Sequence, residues 1–188
     1  MGVQLVASYA HEGLKVAIAQ MLVGASWQRC RVHFMRNLLC HVPRGDQEMV
    51  PAALRTTFAQ PTGEAARQQL HTVYEAMRPR WPKAAHVLSV AEVDILAYMA
   101  FPQEHWKRIC SNNLLGRLNK EVKRRTNVVG VFPDEPSVIR LVGGVLEEQA
   151  DEWQVAKRCF SLESMHKLDD PQLMLTTEAL PLTLAPIH

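Results

Sequence analysis

Apolar spacing divides the chain into short extended pieces at its start and helices thereafter. Val3 through Ala7 reads as a short apolar strand. Ser8 can cap the helix that follows, His11 to Leu22, in which Leu14, Ile18, Met21 and Leu22 recur on one face. Gly24 ends it. From Trp27 to Phe34 the pattern alternates, with Trp27, Arg29, Arg31 and His33 on one side and Cys30, Val32 and Phe34 on the other. This predicts a second strand. A short helix with Leu38 and Leu39 inward follows, and the run Pro43-Arg44-Gly45-Asp46 breaks it.

Between residues 46 and 104 no strand pattern occurs. Val50, Leu54 and Phe58 form one helical stripe, and Ala66, Leu70, Val73, Tyr74 and Met77 a second. Val90, Val93, Ile95, Leu96 and Met99 form a third, ahead of Phe101-Pro102. Asn113 to Thr126 is strongly amphipathic: Leu114, Leu118 and Val122 line one face, and Arg117, Lys120, Lys123 and Arg124 cover much of the rest. Beyond Gly130 and Pro133, Asp134 or Ser137 caps a long helix that runs past Trp153. Residues 169–188 carry Pro171, Pro181 and Pro186 without periodicity and read as a loose tail. The pattern predicts an α/β chain in four parts: a strand-containing segment 1–45, an all-helical insertion 46–104, helices over 105–168, and the tail.

With 188 residues, 47% of them hydrophobic and 21% charged, the chain has the size and balance of one domain, or one domain with an insertion. No apolar run approaches the ~18 residues of a membrane span. The four cysteines are scattered, so a reduced, cytoplasmic protein is expected. The net charge of +2 hides a block: residues 104–133 hold seven basic and two acidic side chains, whereas residues 134–188 hold four basic and ten acidic. Such a block suits either a polyanionic partner or a solvated helix face.

Three segments, in order, resemble one family: Ala10-His11-Glu12-Gly13-Leu14-Lys15, then Trp27 through Asn37 with its Cys30-x-x-His33 signature, then Arg117-Leu118-Asn119-Lys120-Glu121 and its basic continuation to Thr126. The run Ala97 to Pro102 and the run Leu146 to Trp153 add to the likeness. Together they resemble the Mutator-type transposases of bacterial insertion sequences, over roughly residues 3 to 168. The resemblance implies a ribonuclease-H-like core interrupted by helices, DNA transposition by metal-dependent cleavage and strand transfer, and three carboxylates that hold Mg²⁺. It also implies that the leading strands, with the first Asp, belong upstream of Met1. The sheet is then expected to expose an unpaired edge and to self-associate.

In the family the second Asp directly precedes Ala-His-Glu-Gly-Leu, and the Glu directly precedes Arg-Leu-Asn-Lys-Glu. Here those positions are Tyr9 and Gly116. A phenol titrating near pH ~10 is a poor ligand for a hard cation, and glycine has no side chain at all. Glu121 projects about 140° away from Gly116 around the helix, and Glu12 starts a turn beyond Tyr9, so neither is expected to substitute. No metal is therefore expected in this chain.

Cys30 and His33 admit two readings. One is zinc, with Cys40 and His41 completing the set. The other is structural, with Cys30 inward and His33 toward the cleft, because a strand pattern sends i and i+3 to opposite faces. For the basic helix the resemblance favours phosphate contact by Arg117, Lys120, Lys123 and Arg124 over mere solvation. Arg125 follows Leu118 by seven residues and leans toward the apolar face. The expected role is that of a transposase which has lost its catalytic carboxylates. The rival is a non-catalytic protein that binds DNA, a second copy or a full-length transposase and inhibits it.

Overall fold

A computed structural model describes residues 2–155 and 160–169. Strands β1 (Leu5–Ser8) and β2 (Ser26–Arg29) pair in parallel, Leu5 opposite Ser26 and Ser8 opposite Arg29. A parallel pair needs a crossover, which α1 (Glu12–Met21) supplies. Among the described residues the sheet has these two strands, so each is paired along one side. The predicted stripe on α1 is only partly used. Ile18 is buried, but Leu14 and Met21 are 39% and 79% exposed, because a two-stranded sheet is too narrow to cover the whole face. Lys15 instead ties α1 down, with Nζ 3.3 Å from Asp94 Oδ2 and 4.6 Å from the Trp27 ring centroid.

The predicted second strand is corrected. Extended backbone stops at Arg29, and α2 (Arg31–Leu39) begins two residues later. Cys30 N still donates to Ser8 O, finishing the ladder, while Arg31 N turns away to Cys110 O. Cys30, Phe34 and Leu38 are all fully buried at four-residue intervals. The same residues therefore satisfied a helical period, and the alternation through Phe34 was coincidental.

Residues 46–104 are helical, without a strand among them. They form α3 (Met49–Phe58), α4 (Gly63–Met77) and α5 (Pro82–Leu96). Thr62 caps α4, its Oγ1 accepting from Ala65 N at 3.2 Å, and proline opens α5 where its missing N–H costs nothing. Val50 and Leu54 of α3 and Ala66, Leu70, Val73 and Met77 of α4 are buried as their spacing predicts. On α5 the prediction is corrected: Val90 and Val93 are 68% and 50% exposed, and Ala84, Ala85, Leu88 and Ala91 form the buried side with Ile95. Alanines let the neighbouring helices approach closely, so the buried face combines Ala84, Ala85 and Ala91 with the larger Leu88 and Ile95. A short helix α6 (Trp106–Ile109) follows, its Trp106 Nε1 donating to Phe101 O at 2.7 Å.

One buried polar side chain joins strand to helices. Gln28 is fully buried. Its Nε2 donates to Arg29 O at 2.7 Å and Ile95 O at 3.2 Å, and its Oε1 accepts from Tyr98 N at 2.8 Å.

Contacts group residues 2–111 and 163–169 into one compact unit and residues 112–162 into another. The second unit consists mainly of α7 (Asn113–Val129) packed on α8 (Glu135–Val155). Gly130, at φ +75°, ends α7 in a conformation that favours glycine. Asp134 caps α8, its Oδ1 accepting from Ser137 N at 2.7 Å. Val145 is the buried hydrophobic of this unit among the described residues. A final short helix, α9 (Leu162–His166), precedes a turn at Lys167–Asp169. The loose tail predicted for 169–188 lies, past Asp169, outside the described residues. No single described helix is long and apolar enough to cross a membrane.

Replacing Gln28 with methionine keeps the volume but leaves the Tyr98 amide and Ile95 carbonyl short of partners. Unfolding free energy from a denaturant titration is expected to fall by about 1–3 kcal/mol. An unchanged midpoint would show that the bridge contributes nothing.

Candidate functional site

Tyr9 immediately follows β1. Its carbonyl accepts from His11 N at 3.0 Å and from Ser8 Oγ at 3.0 Å, and Ser8 Oγ in turn accepts from Trp27 Nε1 at 2.7 Å. The chain direction after the strand is thus held by β2. The Tyr9 ring meets the His33 ring edge-on, centroids 4.2 Å apart at 85°. His33 Nδ1 lies 3.2 Å from Cys30 Sγ. The expectation that Cys30 and His33 point to opposite faces is corrected. Cys30 is the N-cap of α2 and His33 its third residue, so both sit on one helical turn and touch. Three positions singled out in the sequence therefore form one cluster.

Burial, helped by the Arg36 charge, holds the His33 imidazole below its ordinary range. Both effects favour the neutral imidazole, whose Nδ1 faces the fully buried Cys30 thiol. Cys40 lies at the other end of α2, exposed, its Sγ donating to Arg36 O at 3.3 Å, and so does not complete a zinc set with Cys30 and His33. Among the described residues no three His, Cys, Asp or Glu side chains are gathered to hold a metal. Where carboxylates are expected by resemblance, the chain offers a phenol packed on an imidazole and, at Gly116, nothing. These groups do not fit Mg²⁺.

Gly116 lies in the second unit, exposed, at the close of the first turn of α7. A Cβ built there would meet nothing nearer than Asn113 Oδ1 at 4.0 Å. Packing therefore does not require glycine. Arg117, Lys120 and Lys123 are exposed and have no ion-pair partner among the described residues. Arg124 differs. Its Nε and Nη2 grip Glu121 at 2.9 and 2.6 Å, so its charge is half spent within the helix. Arg125 leans toward α8, with Nε 2.9 Å from Glu121 Oε1 and Nη2 3.1 Å from Glu148 Oε2. The Arg124 and Arg125 hydrogen bonds hold the Glu121 carboxyl down to about 2. Of the four cations read from the sequence, three form an open row and one is partly neutralised. That distinction needs side-chain geometry, because Glu121 is within reach of several bases by spacing alone.

A sequence model of the family described as "Transposase, Mutator family" matches residues 1–156. The chain belongs to this family. It is 42% identical, over 97% of its own length, to the transposase for insertion sequence element IS1081 of Mycobacterium tuberculosis. It is 34% identical over 88% to the transposase for ISRM5 of Rhizobium meliloti, and 35% identical over 84% to that for IS256 in transposon Tn4001 of Staphylococcus aureus. The chain spans less than half the length of each: 46%, 42% and 40% respectively.

Two positions on α7 can be tested one at a time. Gly116→Ala is expected to stabilise α7 by about 1 kcal/mol, read as slower amide exchange in that helix. A destabilised helix would mean the glycine is structurally required. Glu121 gives a pH signature. Its carboxyl is depressed in the fold from 4.5 to about 2, so its contribution is fully present above pH ~4.5 and is lost as pH falls toward ~2. Protection factors of the α7 amides, with the intrinsic pH dependence of exchange divided out, should fall slightly across that window, and Glu121→Gln should remove the transition. Persistence of the transition in Glu121→Gln would assign it elsewhere.

Proposed function

We propose that this chain is a portion of an insertion-sequence transposase that holds DNA through its backbone but does not itself assemble the metal site for cleavage. The observation that carries the reading is α7. Arg117, Lys120 and Lys123 form an exposed, unpaired basic row directly after Gly116, the place where the family resemblance calls for a carboxylate. Tyr9 at the other such place makes the same argument independently, since its ring is engaged by His33. Divalent ions would supply charge stabilisation for in-line displacement at phosphorus, but neither position offers an anionic oxygen to hold one. The parallel β1–α1–β2 unit, with helices 46–104 following, supports reading the first unit as part of a ribonuclease-H-like core with a helical insertion.

Binding through such a row is indifferent to base sequence and steep in salt, because each neutralised phosphate releases counterions. Three open cations give a slope of log K against log salt of about −2.7 on duplex DNA; release of Arg124 from Glu121 would bring it toward about −3.6. Gel-shift titrations at several salt concentrations test this. Single alanine substitutions at Arg117, Lys120 or Lys123 should each flatten the slope by about 0.9, and Arg124→Ala by less. If the triple alanine variant binds duplex as well as the parent, the basic row is a solvated surface and the reading fails.

A second reading is favoured by a separate observation. Ile139, Leu146 and Trp153 of α8 are 62%, 45% and 51% exposed, and each strand is paired on one side among the described residues. A non-catalytic role, pairing with an intact transposase and inhibiting it, would use these surfaces. Co-purification with a tagged full-length relative supports it, and its absence at micromolar concentration removes it.

A further inference from the structure

Within the first unit, the start of α2, the middle of α3 and α6 enclose a pocket of about 660 Å³. That is the size of a site for one small organic ligand. Four of its lining side chains are cations (Arg31, Arg36, Arg55 and Lys107) and none is a carboxylate. Arg36, Arg55 and Lys107 are exposed at its rim, and none has an ion-pair partner among the described residues. Arg31 is held differently. Its guanidinium carbon sits 3.7 Å from the Phe58 ring centroid and 5.7 Å from that of Tyr98, with Nη1 3.5 Å from Tyr98 Oη. Tyr98 is fixed in turn, its backbone bonded to Gln28 and its ring edge-on to Trp106 at 5.6 Å. The floor is thus aromatic and planar, and the rim is cationic.

A ligand for this arrangement needs a flat, largely apolar body and an anionic group beside it. An inorganic anion lacks the first, and an acidic peptide brings charge without a plane to cover the floor. We propose that the pocket takes one unpaired nucleotide of a DNA strand, its base stacked over the Arg31–Phe58 platform near Trp106 and its phosphate among Arg36, Arg55 and Lys107. A base still paired in a duplex cannot enter so small a site, so the pocket selects strands that are open or have a base turned out. This rests on the reading that the chain holds DNA, but it uses side chains of a different compact unit from α7.

The test uses the full chain and fluorescence anisotropy with three probes: a short oligothymidylate, the abasic strand of the same length and charge, and a duplex. The oligothymidylate should bind about tenfold tighter than the abasic strand, the effect of stacking a base on such a platform. Arg31→Lys keeps the charge but removes the plane. It should bring the ratio of oligothymidylate to abasic affinity from about tenfold to about one. Arg55→Ala with Lys107→Ala, both at exposed positions, should weaken both strands; the melting temperature checks that the variants fold. Equal affinity for the two single strands overturns the proposal, as does a preference that survives both variants. Competition by oligoglutamate as strong as that by oligothymidylate also overturns it, in favour of an acidic peptide. Duplex binding that depends on Arg117, Lys120 and Lys123 without any base preference sinks the pocket alone. A base preference without such duplex binding sinks the α7 reading alone.

Discussion

The arrangement of the first unit depends on the buried amide of Gln28. A two-stranded parallel sheet is too small to make a core of its own, so β2 must be fastened to the helices beside it. Gln28 does this with hydrogen bonds to Ile95 O and from Tyr98 N, satisfying backbone groups at the end of α5 where the helix ladder runs out. Because β2 is fixed, Cys30 closes the ladder against Ser8 and the chain turns into α2 at Arg31. That turn brings Cys30, His33 and Tyr9 together, and it swings Arg31 onto Phe58 and Tyr98. The aromatic pocket and the Tyr9–His33–Cys30 cluster thus both draw on the turn that follows this polar anchor.

In the second unit the organising interaction is electrostatic. Glu121 draws in Arg124 and Arg125, and Arg125 reaches Glu148 on α8. The pairing engages Arg124 within the helix and Arg125 toward α8, and leaves Arg117, Lys120 and Lys123 to solvent. One acidic residue thereby sorts the charge block into a packing part and a part available to a polyanion. Exposed pairs of this kind contribute little stability. Their consequence here is the direction in which charge is presented.

Much of this was legible in the chain. The helices of residues 46–104 and the amphipathic α7 followed from spacing, and a cap at Asp134 or Ser137 from capping chemistry, which are local; the structure selects Asp134. The failures are equally local in origin. Over Trp27 to Phe34 a period of two and a period of 3.6 coincide, and only the continuation to Leu38 separates them. On α5 the stripe was drawn through Val90 and Val93, whereas Ala84, Leu88, Ala91 and Ile95, at spacings of three and four, form the buried side. Tyr9, Gly116, Cys30 and His33 could be singled out by motif, yet the contact between Cys30 and His33 could not, since it depends on where α2 begins. The Arg31 platform was not legible either, because it joins side chains far apart in sequence.

We propose above that this member of the transposase family keeps a DNA-facing surface without a metal-holding one. The most direct measurement is a calorimetric titration of the full chain with Mn²⁺, in parallel with a variant carrying Tyr9→Asp and Gly116→Glu. No stoichiometric site tighter than ~100 μM, about −5.5 kcal/mol, is expected in the parent chain. A stoichiometric site tighter than that in the unmodified chain would contradict it.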